Sequence, residues 1–492
     1  MNQKQLTWTL IGLLAGILGA LLLLVILGPA SVQVSRRVAD TKAEAAAGTF
    51  ADPKNADAPS EKTNIRGEFM RFDGEPAPAG SAWPRFRGVK FDNIARDSGP
   101  LFEKWDAGGP KLLWSAQLSE GHAGPAVWKG SVYIMDYDEA KESDVLRRFS
   151  LADGKEIWRR WYKAPTKRNH GVSRTVPAVT EKFTVTIGPR CHVMCVDTET
   201  GAFKWGLDLV ADYGTEVPLW YTGQCPLIED DDVAVIAPAG KDVLLMGVDC
   251  ESGKILWKTP NPDHWKMSHS SVMPMTLLGR RTYVYCTLNG IVGVSAENRN
   301  LGALLWKSAA WNHSVLAPSP VQIDDSRIFL TAGYGGGSMM LGLTNVNGQV
   351  IASPIFELPK TVFACEQQTP IFYQNHLFGI LPKDAGALRG KFVCLDTNGR
   401  IVWESGKTER FGLGPFLIAD KKILILNDTG ELTLARASTQ GYEQLAQARV
   451  LHGRDAWAPM ALVDGKLLLR DSERLICLQV GRTDLKMSQN EP

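Results

Sequence analysis

Six of the eight histidines, His122, His170, His264, His269, His313 and His452, stand in stretches that lead into members of one recurring set of prolines. The same stretches carry Lys167, Arg168, Arg174, Trp220, Tyr221, Gln224, Glu366, Gln367, Gln368, Arg410, Asp455 and Trp457. An imidazole can move a proton or ligate a metal near neutral pH. A guanidinium clamps carboxylates. Glu366 and Asp455 are candidates for a base or a cation ligand. Trp220 and Trp457 offer flat apolar faces. The chemistry this set suits is capture of a small molecule or peptide in a polar, aromatic mouth. The expected ligand or partner face is His122, Arg174, Trp220, Gln224, His269, Glu366, Gln367, Asp455 and Trp457. The competing reading is a solvated loop face with aromatic plugs. No catalytic residue is singled out, because no Ser-His-Asp motif, phosphate loop or zinc spacing is present.

The elements that must position these residues repeat. Pro125, Pro177, Pro226, Pro274, Pro320, Pro370, Pro415 and Pro459 recur at intervals of 44 to 52 residues. Each opens a short apolar run, a polar turn and a second apolar run, as in GPAVWKGSVYIM and APMALVDGKLLL. Such a period of short strands marks propeller blades. Proline lacks an N–H, so it suits the start of an edge strand, and the innermost strand of a blade is one. A second period runs in phase. A glycine turn followed by tryptophan ends at Trp158, Trp205, Trp257, Trp306 and Trp403, while Ala352 and Leu445 replace the aromatic in two copies. An extra copy ends at Trp114, before the first proline. The last unit lacks its fourth strand, so Lys111–Leu118 is expected to complete it and close the ring. The fold expected is all-β: an eight-bladed propeller of four-stranded antiparallel blades. Residues just before each proline then converge on the axis: His122, Arg174, Gln224, Ser271, Gln367 and Trp457.

The best copies read CVDTETGAFKW and GVDCESGKILW. In these motifs the chain resembles the pyrroloquinoline-quinone (PQQ) repeat family, over roughly residues 83 to 480. The resemblance implies a quinoprotein-dehydrogenase-like propeller. That fold serves PQQ enzymes with calcium and also non-enzymatic, BamB-like scaffolds of outer-membrane assembly. PQQ enzymes need cations on the quinone carboxylates, calcium held by carboxylate and amide oxygens, a base and planar plates. The chain has no vicinal Cys-Cys pair, no Cys-x-x-Cys-His haem site and no contiguous calcium loop. PQQ with calcium therefore remains only a candidate cofactor.

Leu6–Leu27 is almost wholly apolar. About 20 residues at 1.5 Å each cross a hydrocarbon core of roughly 30 Å. The expected plan is a short tail at 1–5, a transmembrane helix at 6–27, a flexible stalk at 28–82, the propeller at 83–480 and a tail at 481–492. The stalk is rich in Ala, Pro, Lys, Glu and Asp, too polar to bury a core. Trp83-Pro-Arg-Phe-Arg-Gly is expected to pack against a blade. The net charge of +1 gives no sign of a nucleic-acid partner. The propeller is expected on the periplasmic side of the cytoplasmic membrane, as a binding or scaffold module with an envelope protein as partner. The alternatives are a PQQ-dependent dehydrogenase and a carbohydrate- or peptide-binding sensor.

Eight cysteines invite a disulfide reading. Aligned third strands put Ser150, Cys195, Gly247, Gly293, Gly342, Cys394, Ala435 and Cys477 at one position, which demands a small residue. Cys286 reads as core. A Cys191–Cys225 bond between neighbouring blades stays open. Strand alternation turns His192 away from Cys191, against a metal cluster there.

Overall fold

The computed structural model describes residues 62–482. They form eight four-stranded antiparallel blades. Blade 1 runs outward from the axis as Ala126–Trp128, Ser131–Asp138, Ser143–Ser150 and Glu156–Lys163. Blade 8 consists of Ala461–Val463, Lys466–Arg470 and Arg474–Gln479, with Lys111–Gln117 as its outer strand. Trp114 sits opposite Cys477 in that pairing. The two ends of the ring are thus one sheet, and neither is left as an open edge. Five of the eight prolines directly precede an innermost strand of three or fewer residues. Pro274 lies one residue inside Met273–Leu277.

The repeat's tryptophan and glycine meet between blades. The ring of Trp205, in the outer strand of blade 2, lies where a Cβ on Gly253 of blade 3 would fall, 2.7 Å away. Gly253 also has φ 73°, so a side chain there would be strained as well as obstructed. Trp158 covers Gly201 of blade 2 in the same way. In blades 2, 3, 4, 6 and 8 the small residue lies across from the tryptophan: Cys195 opposite Trp205, Gly247 opposite Trp257, Gly293 opposite Trp306, Cys394 opposite Trp403 and Cys477 opposite Trp114. Blade 1 departs from the expected alignment. Arg148, not Ser150, faces Trp158 there, and its guanidinium reaches over to the Glu199 carbonyl oxygen of blade 2 at 2.6 Å.

All eight cysteines are buried and free. Cys191 Sγ lies 3.8 Å from Met267 Sδ, and Cys225 Sγ accepts the Val176 N–H at 3.2 Å, so the two do not form a disulfide.

The stalk expected over 28–82 is corrected from residue 62 onward. Glu68–Arg71 adds a fifth strand to blade 1, with Phe69 opposite Arg160. Ile65 is buried. Strand addition needs backbone groups and a few apolar contacts rather than a core of its own, so polar composition did not reveal it. Trp83-Pro-Arg-Phe-Arg-Gly also does more than pack on one blade; it lies among the innermost strands, and Ile94–Ala95 pairs parallel with Phe416–Ala419 of blade 7. The anchor expected at 6–27, the stalk before residue 62 and the tail from 483 lie outside the described residues. Among the described residues, no helix is long and apolar enough to cross a membrane.

Candidate functional site

The loops that lead from one blade into the next share one face with the turns between second and third strands. On that face His122 is buried, with Nε2 3.0 Å from the His170 carbonyl oxygen and its ring stacked on Trp457 at 4.8 Å. Trp457 belongs to the loop entering blade 8, and its carbonyl oxygen accepts from Gln368 Nε2 of blade 6 at 2.9 Å. Arg174 is held by backbone oxygens: Nε donates to Trp220 at 2.6 Å, and Nη2 donates to His170 at 2.9 Å and Asn169 at 3.0 Å. Burial lowers its pKa to about 10.

Burial, aided by that cation, keeps the neighbouring imidazoles uncharged. Burial, then Arg174 and Arg470, push His122 down to about 3. Burial, then Arg174, push His269 down to about 4. Both imidazoles are neutral at pH 7. Glu366 is buried, and burial raises its pKa despite the opposing charge of Lys383.

Trp220 crosses the mouth. Its ring lies 5.5 Å from Tyr334, in the turn between the second and third strands of blade 5. Trp220 has φ 63° and Tyr221 φ 72°. His170, Tyr334 and Asp455 are left-handed as well, at φ 53°, 53° and 58°. Bulky residues in that region are uncommon and persist only where surroundings hold them.

Of the expected set, His122, Arg174, Trp220, His269 and Trp457 are linked through Arg174, the His170 carbonyl and the His122–Trp457 stack. Glu366 joins through Tyr334. The backbone of Asp455 bonds to His122, and Gln367 is half-buried on the same face. Gln224 is misassigned. It is fully buried inside blade 3, where Oε1 accepts the Ala237 N–H at 2.9 Å and Nε2 donates to the Ala237 carbonyl at 3.0 Å. The amide imitates a strand partner just past Val233–Ile236. Side-chain alternation fixes direction only within strands, and Gln224 precedes one.

A hydrogen-bonded hoop was also missed. The N–H of Val176 donates to Cys225 Sγ, Cys225 to Ser271 Oγ, Ser271 to Ser319 Oγ and Ser319 to Thr369 Oγ1, at 3.2, 3.0, 3.0 and 2.9 Å. Each donor lies in the approach to an inner strand, and each acceptor lies in the approach of the next blade. The chain of bonds joins blades 2 to 6. The signal was present in the sequence: small hydroxyl or thiol residues shortly before successive prolines.

The residues at the mouth do not fit PQQ with calcium. Gln224 and Gln368 are engaged by the protein backbone, as is Arg174. The faces of Trp220 and Trp457 are in contact with Tyr334 and His122. Among the described residues, no group of three His, Cys, Asp or Glu side chains is disposed to hold a metal ion.

Residues 141–341 match the family described as outer membrane protein assembly factor BamB. No curated protein matches the chain. Among solved structures, BamB from Moraxella catarrhalis is 13% identical with a TM-score of 0.50, covering 75% of this chain and 99% of that one. The quinohemoprotein alcohol dehydrogenase ADHIIG from Pseudomonas putida HK5 is 14% identical with a TM-score of 0.55, covering 84% of this chain and 82% of that one. A europium-containing methanol dehydrogenase is 13% identical with a TM-score of 0.52, covering 79% and 89%. At such identities the likeness concerns the fold. The in-phase proline and tryptophan periods and the eight four-stranded blades give the chain the β-propeller fold of these structures, and its similarity to the PQQ-repeat family extends over residues 141–341.

Proposed function

We propose that this chain is a binding or scaffold propeller of the cell envelope, tethered to the cytoplasmic membrane by Leu6–Leu27, that recognises a protein partner on its interblade-loop face. One observation carries this reading. Aromatic residues in the left-handed region, His170, Trp220, Tyr221, His264 and Tyr334, stand on that face, whereas the left-handed residues of the turns on the opposite face, such as Lys129, Leu278 and Gln374, are not aromatic. Leu219, 51% exposed, stands beside them. Strain of this kind concentrates where a surface is held ready for recognition, and exposed aromatic and apolar groups supply binding energy. The dehydrogenase reading is weakened by the groups already engaged within the protein, Gln224, Gln368 and Arg174.

The test is site-directed photo-crosslinking in intact cells. Crosslinkers at Leu219 and His452 are expected to capture a defined partner, while those at Glu181 and Asn375, on the opposite face, capture none. The reverse pattern would overturn the choice of face. Stoichiometric uptake of PQQ with calcium, accompanied by substrate-dependent dye reduction, would replace the scaffold reading by the enzyme. Added protease should digest the propeller once the outer layer is permeabilised, while a cytoplasmic control survives.

A further inference from the structure

The innermost strand of every blade turns one edge toward the axis. Its N–H and C=O groups there have no partner from its own sheet, and buried backbone groups must find one. In this protein a single segment of the same chain bonds to the inner strands, or the turns beside them, of blades 1, 2, 3, 6, 7 and 8. Trp83 exchanges two backbone bonds with Val127 of blade 1, at 2.9 and 2.8 Å. The Pro84 carbonyl accepts the Val179 N–H of blade 2 at 2.8 Å. Arg85 Nη1 donates to the Ile228 carbonyl of blade 3 at 3.3 Å. The ring of Phe91 packs against apolar clusters that include Val235 of blade 3 and Met273 of blade 4.

The guanidinium of Arg87 spans two successive carbonyl oxygens of blade 6, Thr369 at 3.0 Å and Pro370 at 2.9 Å, and its Nε closes on Phe91 O at 2.8 Å. The Ile418 N–H of blade 7 donates to Asn93 O at 3.1 Å, and Ile94–Ala95 continues alongside. Ser81 and Ser98 bond to Asp464 and Gly465 of blade 8. Arg87, Phe91 and Asn93 are all left-handed, with φ of 63°, 59° and 63°. Three such residues in so short a stretch are held by their surroundings, not by local preference. Burial of the Arg87 guanidinium, which lowers its pKa to about 10, is tolerated because carbonyls occupy its fork.

These are the contacts of a bound peptide: backbone bonds to strand edges, an aromatic anchor and an arginine fork. We propose that the central channel is a peptide-binding lumen, entered from the face of the turns between first and second strands and filled by this chain's own residues 83–95. It accepts a segment in the order aromatic, proline, arginine, apolar residue, arginine, which pairs with strand edges at Trp83 and at Ile94–Ala95 and turns between them. This inference does not depend on the interblade-face reading, because the segment enters from the other side.

Hydrogen exchange on the full-length protein tests it first. Amides of residues 83–95 should exchange as slowly as those of the inner strands. Exchange at free-peptide rates with the blades still protected would overturn the proposal. The second arm uses Arg87→Ala, checked for an intact fold by circular dichroism, with Arg87→Lys as substitute if the alanine variant does not fold. Exchange over residues 83–95 should rise at least about tenfold, and a labelled synthetic peptide of residues 82–96 should then bind saturably, whereas wild type binds none. No acceleration, or acceleration without peptide binding, would refute the lumen. Equal binding of a peptide with both arginines replaced by alanine would refute its specificity.

Discussion

The indole Nε1 of Trp205, in blade 2, donates to the carbonyl oxygen of Cys250, in blade 3, at 2.9 Å. Trp114 does the same to Leu151, Trp158 to Glu199 and Trp403 to Ser438, at 3.0, 3.2 and 3.0 Å. In these four copies the tryptophan is therefore a stitch from one blade to the next, and Trp114, Trp158 and Trp205 are seated on glycines, Gly154, Gly201 and Gly253, that leave room for the ring. Trp205→Ala should remove both the packing and the bond and lower stability by about 3–5 kcal/mol. Urea denaturation checks this. Gly253→Ala should be destabilising too, since its Cβ would strike the Trp205 ring, and in a Trp205→Ala background that second loss should shrink. Additive losses in the double mutant would show that the ring and the glycine do not act as a pair.

The two neutral imidazoles of the mouth make stability depend on pH. Their folded pKa values, about 3 for His122 and about 4 for His269, lie below the ordinary 6.5. As pH falls below about 6.5 the unfolded chain takes up protons first, so stability present above that value is lost progressively toward pH 4 and below. At pH 5 the loss is on the order of 1–2 kcal/mol for each buried histidine. His122→Phe preserves a ring against Trp457 and removes one titrating group. The fall in Tm between pH 7 and pH 5 should be smaller in this variant than in wild type. An unchanged fall would mean that His122 is charged in the folded protein.

The ring was legible in the sequence because each of its requirements is local and recurs. A proline marks an edge, a glycine marks a turn with a ring above it, and a tryptophan marks a stitch. The closing strand followed from counting, and Trp114 took its place opposite Cys477. What was not legible occurs once. Glu68–Arg71 is held mainly by backbone bonds, and residues 83–95 by backbone bonds together with side chains, Arg85, Arg87 and Phe91, that recur nowhere else in the ring's pattern. At the mouth, Arg174 and His122 could be placed there by their distance from a proline, but Gln224 could not be oriented, because its amide serves the backbone of Ala237.

The hoop of pre-strand side chains makes a prediction about single oxygens. Ser319→Ala would leave the buried N–H of Ser271 without its acceptor, and Ser271→Ala would do the same to Cys225. Each should cost about 1–3 kcal/mol. Cys225→Ser keeps an acceptor for Val176 and should cost less than Cys225→Ala. Thermal melts of the four variants give the order. If the alanine variants melt with wild type, a neighbouring group or water replaces the lost acceptor and the hoop is not a structural tie.

Burial also sets the reactivity of the cysteines. Cys225 is pushed up to about 11 and Cys191 to about 12 by burial. The thiolate is the reactive form. A thiol-specific chromogenic reagent at pH 8 should therefore label none of the eight in the native protein and all eight in denaturant. Rapid native labelling would expose an opening motion near the labelled residue, to be located by peptide mapping.

Gln224 and Trp220 lie four positions apart, yet their substitutions should act differently. Gln224→Ala strips partners from both the N–H and the C=O of Ala237, which the side chain satisfies at 2.9 and 3.0 Å. Two buried groups left unpaired should lower stability by about 2–4 kcal/mol, while partner capture by the molecules that remain folded is unchanged. Trp220 is half-buried, and its ring lies against Tyr334 rather than in a blade core. Its carbonyl, not its side chain, holds Arg174, so Trp220→Ala should leave the melt nearly as in wild type and weaken partner binding by more than about 1 kcal/mol. Paired melting and binding curves on the two variants check this. If Trp220→Ala destabilises the ring as much as Gln224→Ala does and leaves binding intact, Trp220 is a structural plug of the mouth and the recognition surface lies elsewhere.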